Sequence, residues 1–182
     1  MRQLRYSVAA SLDGFIAGPK GEFDWIVMDP EIDFAAMYAG VSGLVMGRRS
    51  YDVSLAFSGA EAPPPIPTYV YSRTLPEGDR NGVTFARDAV SHVRALKQVD
   101  GKPLWLWGGG ELFRELAAAG LVDGVEVAVI PVLLGEGIPL LAGPARRLSL
   151  KLRAHRLYTT SGIMFLEYDV IHAHDATDAR RA

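Results

Sequence analysis

The chain contains no cysteine. Disulfides, thiolate nucleophiles and cysteine-ligated zinc or iron–sulfur sites are therefore excluded, and the composition fits a reducing cytoplasm. An excess of charge is also lacking. Its 19 basic and 21 acidic residues leave a formal net charge of −2, without the basic face that nucleic-acid binders carry. No apolar run approaches the roughly 18 residues that a membrane helix needs. The opening MRQLRYSVAASLDG has positive charge but no apolar core, so no signal peptide is expected.

Glycine is present in mild surplus: 19 of 182 residues, about 10% against a usual 7% or so. A chain of 182 residues suits one soluble domain. Residues 1–171 are assigned to it. HAHDATDARRA, residues 172–182, has no apolar periodicity and is expected to be a disordered tail.

Strands are expected at Leu4–Ser11, Leu44–Met46, Thr68–Ser72, Gly82–Ala86, Leu104–Trp107, Val125–Val132, Leu148–Tyr158 and Gly162–Val170. A helix is expected from Asp29 as N-cap with Pro30 at its first position, carrying Phe34, Met37 and Tyr38 on one face and ending at Gly40. Arg48–Leu55 reads as a second helix. Asp88 caps a third, with Ala89, Val93 and Leu96 on its buried face. A fourth carries Leu112, Phe113 and Leu116 inward and stops at Gly120. Residues 58–67 form a proline-rich loop. With βα units first and antiparallel strands last, the class is α/β. The sheet is mixed and mostly parallel, with an antiparallel C-terminal edge hairpin and helices on both faces in three layers.

In such folds ligands bind beyond the carboxyl ends of strands. Two strand-to-helix turns there carry unusual residues. After Leu104–Trp107 come Gly108, Gly109 and Gly110, then Glu111 and Leu112. Loss of every Cβ lets backbone approach a ligand, and the following helix aims N–H groups and its dipole at the same spot, which suits a phosphate. The second turn, Gly47-Arg48-Arg49-Ser50, offers two arginine forks and a hydroxyl, again suited to phosphate oxygens. Two anion sites at two strand ends point to a diphosphate ligand. Ser72-Arg73 is a third candidate anion contact. An arginine after that strand, where an acid would hold a ribose hydroxyl, favours NADP over NAD.

These stretches also carry a resemblance. The Ser11–Ala17 and Gly21–Trp25 segments, Met46–Tyr51, Ser72-Arg73, Trp107–Leu112 and Pro131–Leu140 occur in the order seen in the dihydrofolate reductase-like superfamily. The chain is similar to the branch that contains the riboflavin-biosynthesis reductase domain and its stand-alone bacterial relatives. The resemblance implies the dihydrofolate reductase-like fold and NADPH as cofactor, held by Gly47–Ser50, Ser72-Arg73 and the triglycine turn. It implies that Ala9 and Ile16 flank the nicotinamide, with Trp107 close by. It further implies hydride transfer to a C=N or C=O bond of a small heterocycle, such as a pteridine or a ribosylamino-pyrimidine. A homodimer is expected, paired through the apolar Pro131–Leu141 segment and the C-terminal hairpin.

Such a reduction needs a proton as well as a hydride, and carboxylates are the candidate donors: Asp13 after the first strand, Asp24 in the loop over the nicotinamide, and Asp33 on the first helix. Asp33 stands one residue, about 100° of helix, out of the register of the acid that binds folate in true dihydrofolate reductases, which argues against folate as substrate. Glu136, between two glycines, is read as substrate lining or subunit contact. His172 and His174 on the tail are not a metal site, and no metal is expected. The alternatives are a nucleotide-binding protein without catalysis, or a folate reductase with a divergent acid.

Overall fold

Among the described residues nine strands form one sheet, in the order β10-β11-β8-β1-β7-β3-β4-β6-β5. The computed structural model describes residues 1–57 and 66–172. Most of the proline-rich loop (58–65) and of the tail (173–182) lie outside the described residues. The strands are β1 (Leu4–Ser11), β2 (Phe15–Ala17), β3 (Gly43–Gly47), β4 (Thr68–Tyr71), β5 (Gly78–Arg80), β6 (Val83–Ala86), β7 (Leu104–Gly108), β8 (Gly124–Ile130), β9 (Ile138–Pro139), β10 (Ser149–Tyr158) and β11 (Ile163–Ile171). The helices are α1 (Phe34–Ala39), α2 (Arg48–Phe57), α3 (Ala89–Gln98) and α4 (Gly110–Ala118).

The six strands from β8 to β6 in that order run parallel. As expected, the C-terminal hairpin joins antiparallel, β11 on β8 and β10 outermost. The opposite edge is antiparallel too, because Gly78–Arg80 turns back at Asn81 (φ 52°) onto β6. Those three residues are all exposed and carry no apolar pattern. A separate two-stranded pair, β2 with β9, lies off the main sheet.

Period-two alternation gives the three layers. Along β7, Leu104 and Leu106 enter a core with Leu4, Tyr6, Val45, Val93 and Leu116, covered by α3 and α4. Tyr6 stacks on Phe113 with ring centroids 4.0 Å apart. On the other side Trp105 packs with Leu44, Met46, Val70 and Phe85 beneath Met37 and Tyr38 of α1 and Tyr51 of α2. Trp105 is thus core, and its indole N–H donates to the Ser7 carbonyl at 2.9 Å.

The first helix departs from expectation. It starts at Phe34, with Asp33 as its N-cap accepting from Ala36 N at 2.9 Å. Asp29 instead makes an Asx turn, accepting from Glu31 N at 2.9 Å. The chemistry is that of a cap, a carboxylate taking an N–H two residues on, so Asp-Pro reads the same in sequence. His92 of the third helix is half-buried against Tyr69 and Tyr71, with the Tyr71 hydroxyl 3.2 Å from its Nδ1. No described helix is long and apolar enough to cross a membrane.

Candidate functional site

The connection β3-α2-β4 steps one way along the sheet, and β7-α4-β8 steps the other, although β3 and β7 are neighbours. The two helices start on opposite faces. A crevice opens at such a point of reversal, beyond the carboxyl ends of the strands. Met46 pairs with Gly108, which sets the turn at Gly47 beside the one at Gly109. The turns touch: Ser50 Oγ lies 3.0 Å from where a Cβ of Gly108 would stand, and 3.5 Å from that of Gly109. Gly108 has φ +153°, and the Gly108–Gly109 peptide is cis. Gly47 faces open space.

The third glycine answers to a different neighbour. A Cβ on Gly110 would come within 2.9 Å of the Pro139 carbonyl oxygen, so its smallness serves the 139–142 segment packed on α4 and not a ligand. Gly109 caps α4 without a side-chain hydrogen bond, which leaves the first N–H groups of that helix free of a side-chain partner. Leu112 is buried in the core and can offer only its backbone. Glu111 is exposed in the first turn.

The cations flanking the crevice are not equivalent. Arg48 Nε donates to both oxygens of Asp52 at 2.8 Å, one turn along α2. Arg49 and Arg73 are exposed and form no hydrogen bond or ion pair with another described residue. Arg73 follows β4, whose Tyr71 pairs with Gly47, so it stands beside the arginine turn. Ser72 is buried, and its Oγ accepts from Leu75 N at 3.1 Å and Thr74 N at 3.3 Å. Its oxygen thus shapes the turn that presents Arg73. Trp107 is half-buried and packs against the α1–α2 core.

The end of β1 forms the other flank. Asp13 accepts from Ser11 Oγ at 2.6 Å, from Gly135 N at 2.7 Å and from Leu134 N at 3.1 Å. The Ser11 hydroxyl first, and then the Gly135 N–H, hold its pKa below the ordinary carboxylate value. Leu140 N donates to Gly14 O at 2.9 Å, and β9 pairs with β2. Residues 131–140 therefore close around the half-buried Ile16 and the turn at Asp13. Ala9, also half-buried, lies in β1 opposite Ala128. Asp24 is exposed in the loop between β2 and α1 and has no partner among the described residues. Asp33 is spent as the cap of α1.

Sequence reasoning took Asp29 for a helix cap and missed its long-range contact. Asp29 is 3% exposed and accepts from Ser161 N at 3.0 Å in the β10–β11 turn. The Ser161 hydroxyl first, and then the Glu31 N–H, lower its pKa. Arg156 of β10 reaches Glu31 at 2.7 Å. Two contacts thus tie the 22–33 loop to a hairpin about 130 residues later in the chain. Nothing near either partner in sequence signals that pairing.

The amino end of the sheet is built differently. Lys97 pairs with Asp123 and donates to Leu121 O at 2.6 Å, while Leu4 N donates to Asp123 at 2.7 Å. Those groups are spent on each other and join β1, α3 and β8.

Comparison with known proteins agrees with this architecture. Residues 2–164 match the family described as the RibD C-terminal domain. The uncharacterized protein YyaP of Bacillus subtilis is 32% identical over 178 residues, 92% of this chain and 94% of that one. A putative riboflavin biosynthesis protein from Shewanella sp. PV-4 superposes with a TM-score of 0.78 at 26% identity, over 94% of this chain and all of the other. A deaminase/5-amino-6-(5-phosphoribosylamino)uracil reductase of Thermotoga maritima shares the fold, with a TM-score of 0.70 at 16% identity. That likeness covers 93% of this chain and 57% of the Thermotoga chain.

Proposed function

Since the chain belongs to the RibD C-terminal domain family, we propose that it is an NADPH-dependent reductase of a C=N or C=O bond in a small heterocycle of the pteridine or ribosylamino-pyrimidine kind. One observation carries the reading: two glycine turns from oppositely directed βα units meet at Ser50 and Gly108, at the reversal point of the sheet. Such a cradle suits a diphosphate, with uncapped N–H groups of α4 on one side and the Arg48–Ser50 turn on the other. Arg49 and Arg73, without a partner among the described residues, are assigned a further phosphate on the adenosine side.

NADPH, when bound, supplies the hydride. The protein's part is position and proton. Running from the arginines across β3 and β7, the reactive end of the cofactor falls at β1, between Ala9 and Ile16. Asp13 holds its carboxylate ionised with its oxygens engaged, and Asp33 is a cap. Asp24 is therefore the carboxylate assigned to order the water, or the substrate group, from which the heteroatom takes its proton.

The test is a titration of the purified chain with NADPH and with NADH, followed by tryptophan fluorescence. NADPH should bind well below about 1 mM and NADH at least tenfold more weakly. Equal affinities would remove the assignment of Arg49 and Arg73, and no NADPH binding would sink the reading. Asp24→Asn should lower kcat at least about tenfold with the NADPH affinity unchanged. Cofactor binding without turnover of any heterocycle would leave the binding-protein alternative.

A further inference from the structure

Three neighbouring parallel strands, β3, β4 and β6, end level with one another. Gly47 pairs with Tyr71, and Tyr71 with Ala86. The pairing runs one step further, since Ser72 N donates to Ala86 O at 3.0 Å. Each strand then gives way to arginine: Arg48 and Arg49 after β3, Arg73 after β4, and Arg87 after β6. Neighbouring strands lie about 4.8 Å apart. The exit of β4 is thus flanked on each side, one strand away, by a cationic turn, and an arginine side chain spans that distance. In sequence Arg87 is only the residue before the Asp88 cap of α3.

Arg87 is exposed and its guanidinium has no partner among the described residues, as is true of Arg49 and Arg73. The other charges at this end are engaged or lie elsewhere. Arg48 is paired with Asp52. Arg80 of β5 donates to Pro76 O and lies over the Phe85 ring, 5.0 Å from its centroid. Asp79 accepts from Thr84 Oγ1 at 2.6 Å, and Asp88 accepts from Ser91 N at 2.9 Å. Glu77 accepts from the Arg87 backbone N–H at 3.0 Å, so one carboxylate shares the turn. Arg94 sits further along α3, lining a cavity with Lys97 and His172 near the amino end of the sheet. Glu61 lies outside the described residues.

We infer that Arg87 is a third specificity-determining residue for the cofactor, closing with Arg73 on the phosphate that NADP carries on its adenosine ribose. The inference rests on the NADPH reading above and extends its site by one strand. A diphosphate seated between β7 and β3, with the nicotinamide toward β1, sends the adenosine the other way, over β4 and β6. The ribose phosphate then stands over the exit of β4, with Arg49 on one side and Arg87 on the other. Three guanidinium groups against the carboxylate of Glu77 leave a positive surplus, which a phosphate of charge near −2 offsets. NAD has a hydroxyl at that place and leaves the row unneutralised.

The experiment is calorimetry of the full chain with adenosine 2′,5′-bisphosphate and with adenosine 5′-monophosphate. The two differ only in the ribose phosphate, and neither needs a nicotinamide or turnover. The wild-type chain should prefer the bisphosphate at least about tenfold. Arg87→Ala should cut that preference at least about fivefold, through a loss for the bisphosphate alone. Arg87→Lys, which keeps the charge without the fork, should fall between the two. Arg80→Ala and Arg94→Ala remove the same charge nearby and should leave the preference within about twofold of wild type.

A wild-type chain without any preference would sink the assignment of NADP itself, and this inference with it. A wild-type preference that survives Arg87→Ala would overturn the inference alone and leave the phosphate to Arg49 and Arg73. Equal losses at Arg80 and Arg94 would overturn it too, by reducing the effect to net charge. Glu77→Gln keeps an acceptor for the Arg87 N–H and removes the opposing charge. It should tighten the bisphosphate about threefold and leave the monophosphate unchanged. No gain there would put the phosphate away from this turn and overturn the inference.

Discussion

The Oγ of Ser50 stands 3.0 Å from the place where Gly108 would carry a Cβ. One residue opens α2 and the other closes β7, so two βα units that diverge across the sheet share a single contact at their mouths.

Alanine at Gly108 should weaken NADPH binding at least about tenfold, because a Cβ meets Ser50 Oγ and a φ of +153° is strained for any L side chain. Removing the hydroxyl as well, in Gly108→Ala/Ser50→Ala, should recover part of that loss, which a double-mutant cycle of NADPH affinities would measure. Gly110→Ala should behave in the opposite way. Its Cβ meets the backbone oxygen of Pro139 at 2.9 Å, which cannot swing aside, so the expected loss is stability, about 1–3 kcal/mol by denaturant unfolding.

The arginines should divide by what already holds them. Arg49→Ala and Arg73→Ala should each raise the Kd for NADPH about tenfold and hardly change that for NADH. Arg48→Ala should cost less discrimination, since its guanidinium is paired with Asp52. A larger selective loss at Arg48 than at Arg49 and Arg73 would reverse the assignment.

Acid should loosen the reactive flank first. Asp13 and Asp29 both have folded pKa values below the ordinary 3.8. Their contribution to stability is complete above that value and drains away as pH falls below it toward the lowered folded pKa. Asp29→Ala should therefore melt a few degrees below wild type near pH 7, and the difference should shrink below about pH 3. A difference that is constant across that range would mean that the charge on Asp29 is not what binds Ser161.

A second copy of this chain is the expected cover for β10. Ser149 to Leu157 are all exposed, and Leu150 and Leu152 pair with Val170 and Tyr168 on one face of a ten-residue edge strand. Long unprotected edges with apolar side chains invite pairing. Sedimentation at micromolar concentration should find a dimer, and Leu152→Lys should shift it toward monomer. A wild-type monomer at the highest soluble concentration would dismiss this interface.

How legible all this was depended on the range over which each signal acts. Runs such as Leu4–Ser11 and Leu104–Trp107 announce buried parallel strands, because both faces need apolar side chains, and both lie in the centre of the sheet. β2, β5 and β9 are two or three residues long, too short for any period to appear. The crevice turns were visible because glycine and arginine are informative residue by residue. The engagement of Asp13 with Leu134 and Gly135 was not, since those two donors lie 121 and 122 positions away. Gly110 had the same limitation: its missing Cβ reads in sequence as room for a ligand, and only the packed chain reveals that Pro139 occupies that room.

The tether between the 22–33 loop and the C-terminal hairpin has a quaternary consequence. Arg156 belongs to β10, the strand offered to a second copy, and it also grips Glu31 in the loop that carries Asp24. Docking at the edge would press on the same strand that steadies the loop. Assembly and turnover would then share a residue, and dilution of the dimer would be felt as a change in catalysis before any loss of fold.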